Sequence, residues 1–383
     1  GIARPLLQGS PFQARHADLL VILTEGALLV SLFCAGLRLR VPPTVKGWRI
    51  AAVLASLGML VTVVLATLAA RLLLPQLGWA AAVLVAAILA PTDPVLAGDV
   101  QIDSTTDRDA LRVSLTAEGG INDATAAPLA LLALGLLGLV PLGDHGMKWV
   151  FQDFLWPMVG GVVLGWLFGR AMGWIVRVLL RRGHGLGWDE LLYFGVIILA
   201  FGLSRLTATS AFLFVFAAAL GPMLRAHTAE DDQEPHRERE ALAERLRNFG
   251  ERLGRLVEAG MVMLLGVSLA WVQWSLGAVL LALALLFVVR PLAVFCCIPA
   301  RALPPAQRRL VAWFGIRGVG SMFYLAYALD AGTNPELSTQ LADAVLPAIA
   351  LSIIVHGISA TPLMTWYRAR RRGGRHAARK QRR

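Results

Sequence analysis

The chain has 383 residues, of which 57% are hydrophobic and only 16% charged, with a mean hydropathy of +0.64. A soluble domain carries about 25% charged residues, so a soluble globular class is excluded and a polytopic, all-α membrane protein is expected. The formal net charge of +11 does not point to nucleic acid, because the arginines gather between apolar runs and at the C-terminus, as the positive-inside rule requires.

In chain order, about eleven apolar runs are long enough to span a bilayer: 19–37, 48–73, 78–100, 110–139, 154–180, 191–206, 208–224, 257–272, 274–298, 310–329 and 342–366. The division after Leu206 rests on a tight turn formed by Arg205, Thr207, Thr209 and Ser210. Arg38, Arg40, Lys46, Arg49, Arg108, Arg177, Arg181, Arg182, Arg225, Arg301, Arg308 and Arg309 fall on one side, and little beyond Arg71, Lys148 and Arg205 on the other. The basic tail, 368–383, lies with the first group, which makes the C-terminus cytoplasmic and puts Gly1 outside. Such a tail is an orientation signal or a contact for anionic lipid. No signal-peptide pattern precedes the first run. Cys34, Cys296 and Cys297 lie in apolar segments without metal-ligand or disulfide spacing and read as small packing residues.

The long polar insert, 225–256, divides a first set of membrane helices (1–224) from a second (257–367). It opens with Glu230, Asp231, Asp232 and Glu234. Leu242, Leu246, Phe249, Leu253 and Leu256 then recur at intervals of three and four, one apolar stripe of an amphipathic helix. A linker helix lying at the cytoplasmic interface is expected there.

Three polar stretches interrupt the apolar pattern. In 115–132, LTAEGGINDATAAPLALL, Glu118, Asn122 and Asp123 stand in otherwise small and apolar surroundings, with Gly119 and Gly120 open to the close approach of a backbone or an ion. An ionised group at the centre of a membrane helix costs about 2.5–3.5 kcal/mol on insertion scales, so such residues mark function by default. In 90–95, Pro91 and Pro94 flank Thr92-Asp93 and remove backbone donors that a continuous helix needs. In 315–321, three glycines surround Arg317. Interrupted segments in two halves of a chain are the sequence mark of a transporter binding site.

These stretches resemble the sodium/proton antiporters of the monovalent cation/proton antiporter superfamily, in the electroneutral branch that holds bacterial NhaP-like proteins and the animal exchangers. Thr92-Asp93-Pro94 matches the family's unwound helix, Glu118 with Asn122-Asp123 its acidic ion-site helix, and Gly315-Ile316-Arg317-Gly318 its glycine–arginine–glycine stretch. Residues 210–221 are similar to a further family helix. The resemblance implies an inverted-repeat fold in which two crossed, unwound helices move against a dimerisation domain, in a homodimer of the bacterial inner membrane. Relatives usually have thirteen helices, which leaves one or two N-terminal spans unaccounted for. Gly119 stands where relatives often carry serine and Cys34 where many carry glutamate.

The roles implied are these. Asp123 alternates between a dehydrated monovalent cation and a proton, since burial favours its neutral form and a nearby cation its charged one. Asp93 and Thr92 complete the sodium site, and Asn122 orients the unwound backbone. Glu118 and Arg317 neutralise each other as a structural pair. The cargo is Na+, with Li+ or K+ as alternatives, exchanged one-for-one against H+, and no cofactor is called for. His356 in the last span is either a pH sensor or, as a lone membrane histidine more often is, hydrogen-bonded to a neighbouring helix. A cation channel is the rival reading, because polar broken helices also line pores. An intramembrane aspartyl protease would need a Gly-x-Gly-Asp stretch, and serine or zinc proteases their own motifs; none is in the sequence, so enzymatic activity is not expected.

Overall fold

The computed structural model describes residues 16–39, 45–93, 100, 109–181, 189–220 and 234–381. Pro94, Arg40, Arg108, Arg182, Arg225 and the acidic Glu230, Asp231 and Asp232 lie outside the described residues. Among the described residues, all elements longer than a turn are helices: α1 (Ala17–Arg38), α2 (Lys46–Val53), α3 (Met59–Leu73), α4 (Trp79–Leu89), α5 (Ala110–Leu136), α6 (Trp156–Arg181), α7 (Asp189–Leu206), α8 (Ala211–Leu220), α9 (Glu234–Leu269), α10 (Leu276–Ala284), α11 (Arg290–Cys297), α12 (Pro305–Trp313), α13 (Val319–Asp330) and α14 (Pro335–Gln381). Wide π turns join α2 to α3 and α10 to α11, so each pair runs as one continuous helix. Among the described residues, six helical stretches are long and apolar enough to cross a membrane, and α4 and α8 are shorter apolar helices.

The expected turn after Leu206 is present: α7 ends there, Ala208 adopts φ 51°, and α8 starts at Ala211. Helix α8 is buried along almost its whole length, from Phe212 to Ala219. It packs against α6 and α1 through small residues. A Cβ on Gly165 or Gly169 would run into the α8 backbone at Phe214 or Ala218, the close approach that small-residue stripes permit between membrane helices.

Two expectations change at the polar insert. Its helix does not end before the next span: α9 runs unbroken from Glu234 to Leu269 and includes the stretch 257–272 up to Leu269. The stripe also shifts. Leu242 and Leu246 are buried, with Phe249, Leu253 and Val257 packed against the same core, whereas Leu256 is 71% exposed. At 100° per residue, positions 256 and 257 fall on opposite edges of the face set by 242, 246, 249 and 253, and the core lies on the Val257 side. The basic tail is likewise a helical continuation of the last span, because α14 extends to Gln381.

Candidate functional site

Two helices break where the sequence places prolines and glycines. Helix α4 stops at Leu89 and leaves 90–93 non-helical, while α12 stops at Trp313 and the chain resumes as α13 only at Val319. The two breaks cross. In a continuous helix the Asp93 amide would donate to the Leu89 carbonyl, four residues back. Instead Asp93 N donates to the Ile316 carbonyl at 2.7 Å, and the freed Leu89 carbonyl accepts from Arg317 Nε at 3.0 Å. The crossing thus satisfies backbone groups that each break leaves open.

Arg317 serves this crossing, with its Nη2 left buried and unpartnered. Its Nη1 also donates to the Gly315 carbonyl, and its backbone N–H donates to Ser352 Oγ at 2.9 Å. The expected Glu118–Arg317 pair is therefore not formed. The Glu118 carboxylate is held by Arg290, at the start of α11, through both terminal guanidinium nitrogens, with Nη2 to Oε2 at 2.8 Å. Both residues are almost fully buried. Arg290 Nη2 further donates to the carbonyls of Val311 and Phe314 at 3.2 and 3.3 Å, so it caps the end of α12 as well. The fold sets Arg317 Nε and Nη1 against the carbonyls of Leu89 and Gly315, and it is the arginine of the apolar 274–298 run that reaches Glu118 and supplies the counter-charge.

His356 braces the second break from α14. Its Nε2 lies 3.0 Å from the Trp313 carbonyl and its Nδ1 2.8 Å from the carbonyl of Ser352. That is the hydrogen-bonded, structural role, between neighbouring helices.

The remaining site residues converge on the crossing. Asp93 Oδ2 accepts from Val319 N at 2.8 Å, which caps the N-terminus of α13, where the helix dipole favours negative charge. Asn122 Nδ2 donates to Thr92 Oγ1 at 2.8 Å, tying α5 to the first break. Asp123 projects from α5 against Gly320, and a Cβ at that position would overlap its carboxylate. Asp123 is 1% exposed, and neither of its carboxylate oxygens has a hydrogen-bond partner in the protein. Asn122 Oδ1 and Ser321 Oγ are also buried without partners. Buried polar groups are almost always paired, so an orphaned carboxylate beside two crossed breaks marks a place for a ligand or a proton. Among the described residues no cluster of three His, Cys, Asp or Glu side chains could hold a metal, so a cation here would take oxygens from carboxylate, hydroxyl, amide and backbone.

Gly120, expected to admit a backbone or an ion, instead seats the ring of Phe216 from α8. The sequence reading missed Arg290, Ser321, Tyr324 and Ser352. Arg290 left a signal, as a charge within an apolar run, and Ser321 left one as the end of the 315–321 stretch; Tyr324 and Ser352 are uncharged residues in apolar helices and left none.

Known proteins resemble this chain in sequence and in fold. A probable Na(+)/H(+) antiporter of Schizosaccharomyces pombe is 24% identical over 87% of this chain and 46% of its own length. A K(+)/H(+) antiporter, NhaP, of Alkalimonas amylolytica is 26% identical over 89% of this chain and 56% of its own. The chain therefore spans about half the length of these relatives. The solved sodium proton antiporter MjNhaP1 of Methanocaldococcus jannaschii at pH 8 superposes with a TM-score of 0.66 at 17% identity, covering 91% of this chain and 92% of that one, which establishes a shared fold. The family model described as sodium/hydrogen exchanger, transmembrane, matches residues 3–366, and the chain belongs to that family.

Proposed function

We propose that the protein exchanges a monovalent cation for protons across a membrane by alternating access, with Asp123 as the group that carries each in turn. The observation that supports this most directly is the buried Asp123 carboxylate with both oxygens unpartnered, set against the crossed breaks. Ionised, it binds a dehydrated cation; protonated, it crosses neutral, and the two cargoes exclude each other. Thr92 and Asp93, fixed by Asn122 and by the α13 N-terminus, stand ready to contribute further oxygens. Sodium is the first candidate, supported by the family description, with Li+ and K+ as alternatives; one relative is named for K+. A homodimer in a bacterial inner membrane, with the arginine-rich helix ends and the C-terminus cytoplasmic, completes the reading.

The test is reconstitution into proteoliposomes with a trapped pH dye, followed by addition of Na+, Li+ or K+. Each transported cation should dissipate an imposed pH gradient. Asp123→Asn keeps the volume and removes the titrating group, so exchange should vanish while the protein elutes and melts as the parent does. Undiminished exchange in that variant would refute the assignment.

A further inference from the structure

A cavity of about 630 Å3 opens between α1, α5, α6, the α7–α8 turn and α13. It lies at the helix ends that carry Lys148 and Arg205, opposite those that carry Arg38, Arg301 and Arg308. By the positive-inside rule it faces outward. Glu25, Asp153 and Asp330 are among its lining residues, with Arg205 bound to Glu25 at 2.9 Å. Its deep wall is aromatic. Phe212 meets Phe323 edge-on at 5.1 Å between ring centroids, and Phe323 meets Tyr324 at 5.0 Å. None of the three is more than 6% exposed. Directly behind this wall, the Tyr324 hydroxyl donates to the main-chain carbonyl of Asp123.

We propose that Phe212, Phe323 and Tyr324 form the outer barrier of the transport path, and that Tyr324 is a positioning residue whose hydrogen bond to the Asp123 carbonyl holds that barrier shut. This inference rests on the exchange reading above and adds the route and the latch. A cation entering through the vestibule must displace the aromatic wall before it reaches the Asp123 carboxylate. The Tyr324 ring leaves only by breaking its bond to the ion-site helix, so opening this side and disturbing the site are one event. Ser321 stands three residues closer to the break than Tyr324, about one helical turn deeper along α13, and its buried, unpartnered hydroxyl belongs to the compartment behind the wall.

The latch has a signature that a merely structural residue lacks. Tyr324→Phe keeps the ring and removes the bond, which shifts the population toward the form open to the vestibule. Apparent affinity scales with the fraction of protein in the competent form. The KM for cation should therefore fall on the vestibule side and rise on the opposite side, severalfold and up to about tenfold, the equilibrium worth of one hydrogen bond.

The measurement is cation/proton exchange in right-side-out and in inverted membrane vesicles. Ser321→Cys, in a background of Cys296→Ser and Cys297→Ser, gives a second readout independent of transport. A membrane-impermeant thiol reagent outside should label it slowly, and much faster when Tyr324→Ala or Phe212→Ala removes part of the wall. If one of these two variants does not fold, the other still tests the wall. KM values that move equally on both faces or not at all, or labelling that the wall variants do not accelerate, would overturn the proposal. Parent vesicles that exchange nothing would count instead against the exchange reading.

Discussion

Glu118 and Arg290 bury two full charges where water does not reach, and each makes the other tolerable. Removing one partner of a buried pair typically costs about 3–5 kcal/mol, because the other is stranded. Glu118→Gln and Arg290→Met should each lower the detergent melting temperature, and Arg290→Met the more, since it also abandons the Val311 and Phe314 carbonyls. A double replacement, Glu118→Gln with Arg290→Met, should lose less than the sum of the two. Strict additivity in that cycle would show that the pair is not coupled. The sequence made it plain that Glu118 needs a partner, because an ionised carboxylate in an apolar helix cannot stand alone. It did not show which arginine, because Arg290 and Arg317 both reach carbonyls of the broken helices and only the folded chain sets Arg290 against Glu118. Asp123, Asn122, Thr92 and Asp93 were legible because each is polar in apolar surroundings. Tyr324 was not, since a tyrosine in a membrane helix has no pattern that sets it apart.

At the scale of elements, the breaks were legible for the same reason that they form: proline withholds an N–H, and glycines let two backbones cross. The continuity of α9 was hidden. Hydropathy changes sharply near residue 257 while the helical period does not, so composition suggested a boundary where the backbone has none. The packing of α6 on α8 makes a sharper test of how these elements hold together. Gly165 meets the α8 backbone with no room for a methyl, whereas a methyl added to Gly195 on α7 would have nothing within 4 Å of it. Gly165→Ala should destabilise by about 1–3 kcal/mol through overpacking. Gly195→Ala should be neutral or slightly stabilising, because alanine is the better helix former. Thermal melting of the two variants side by side checks this, and equal behaviour would mean that α6 and α8 do not pack through that glycine.

At the scale of the whole molecule, the question is how much charge one transport cycle moves. Two carboxylates stand near the crossing, and their surroundings differ. Asp93 accepts from the Val319 amide at the α13 N-terminus, where the helix dipole favours negative charge. The Asp123 carboxylate has no hydrogen-bond partner in the protein. Its helix neighbour at 122 is an amide, so the ion-site helix offers one titratable group beside the crossing where an Asp-Asp pair would offer two. With a single carrier, one cation crosses in one half-cycle and one proton in the other, and the proposed exchange is electroneutral. Each net charge carried per cycle would be driven by about 2.3 kcal/mol per 100 mV, which makes the distinction easy to read. In proteoliposomes held at a potassium/valinomycin potential, with sodium as the exchanged ion, the sodium and pH gradients at balance should be the same without a potential and at about −100 mV. A balance point that moves with voltage would mean that Asp93 is a carrier too and takes up a second proton.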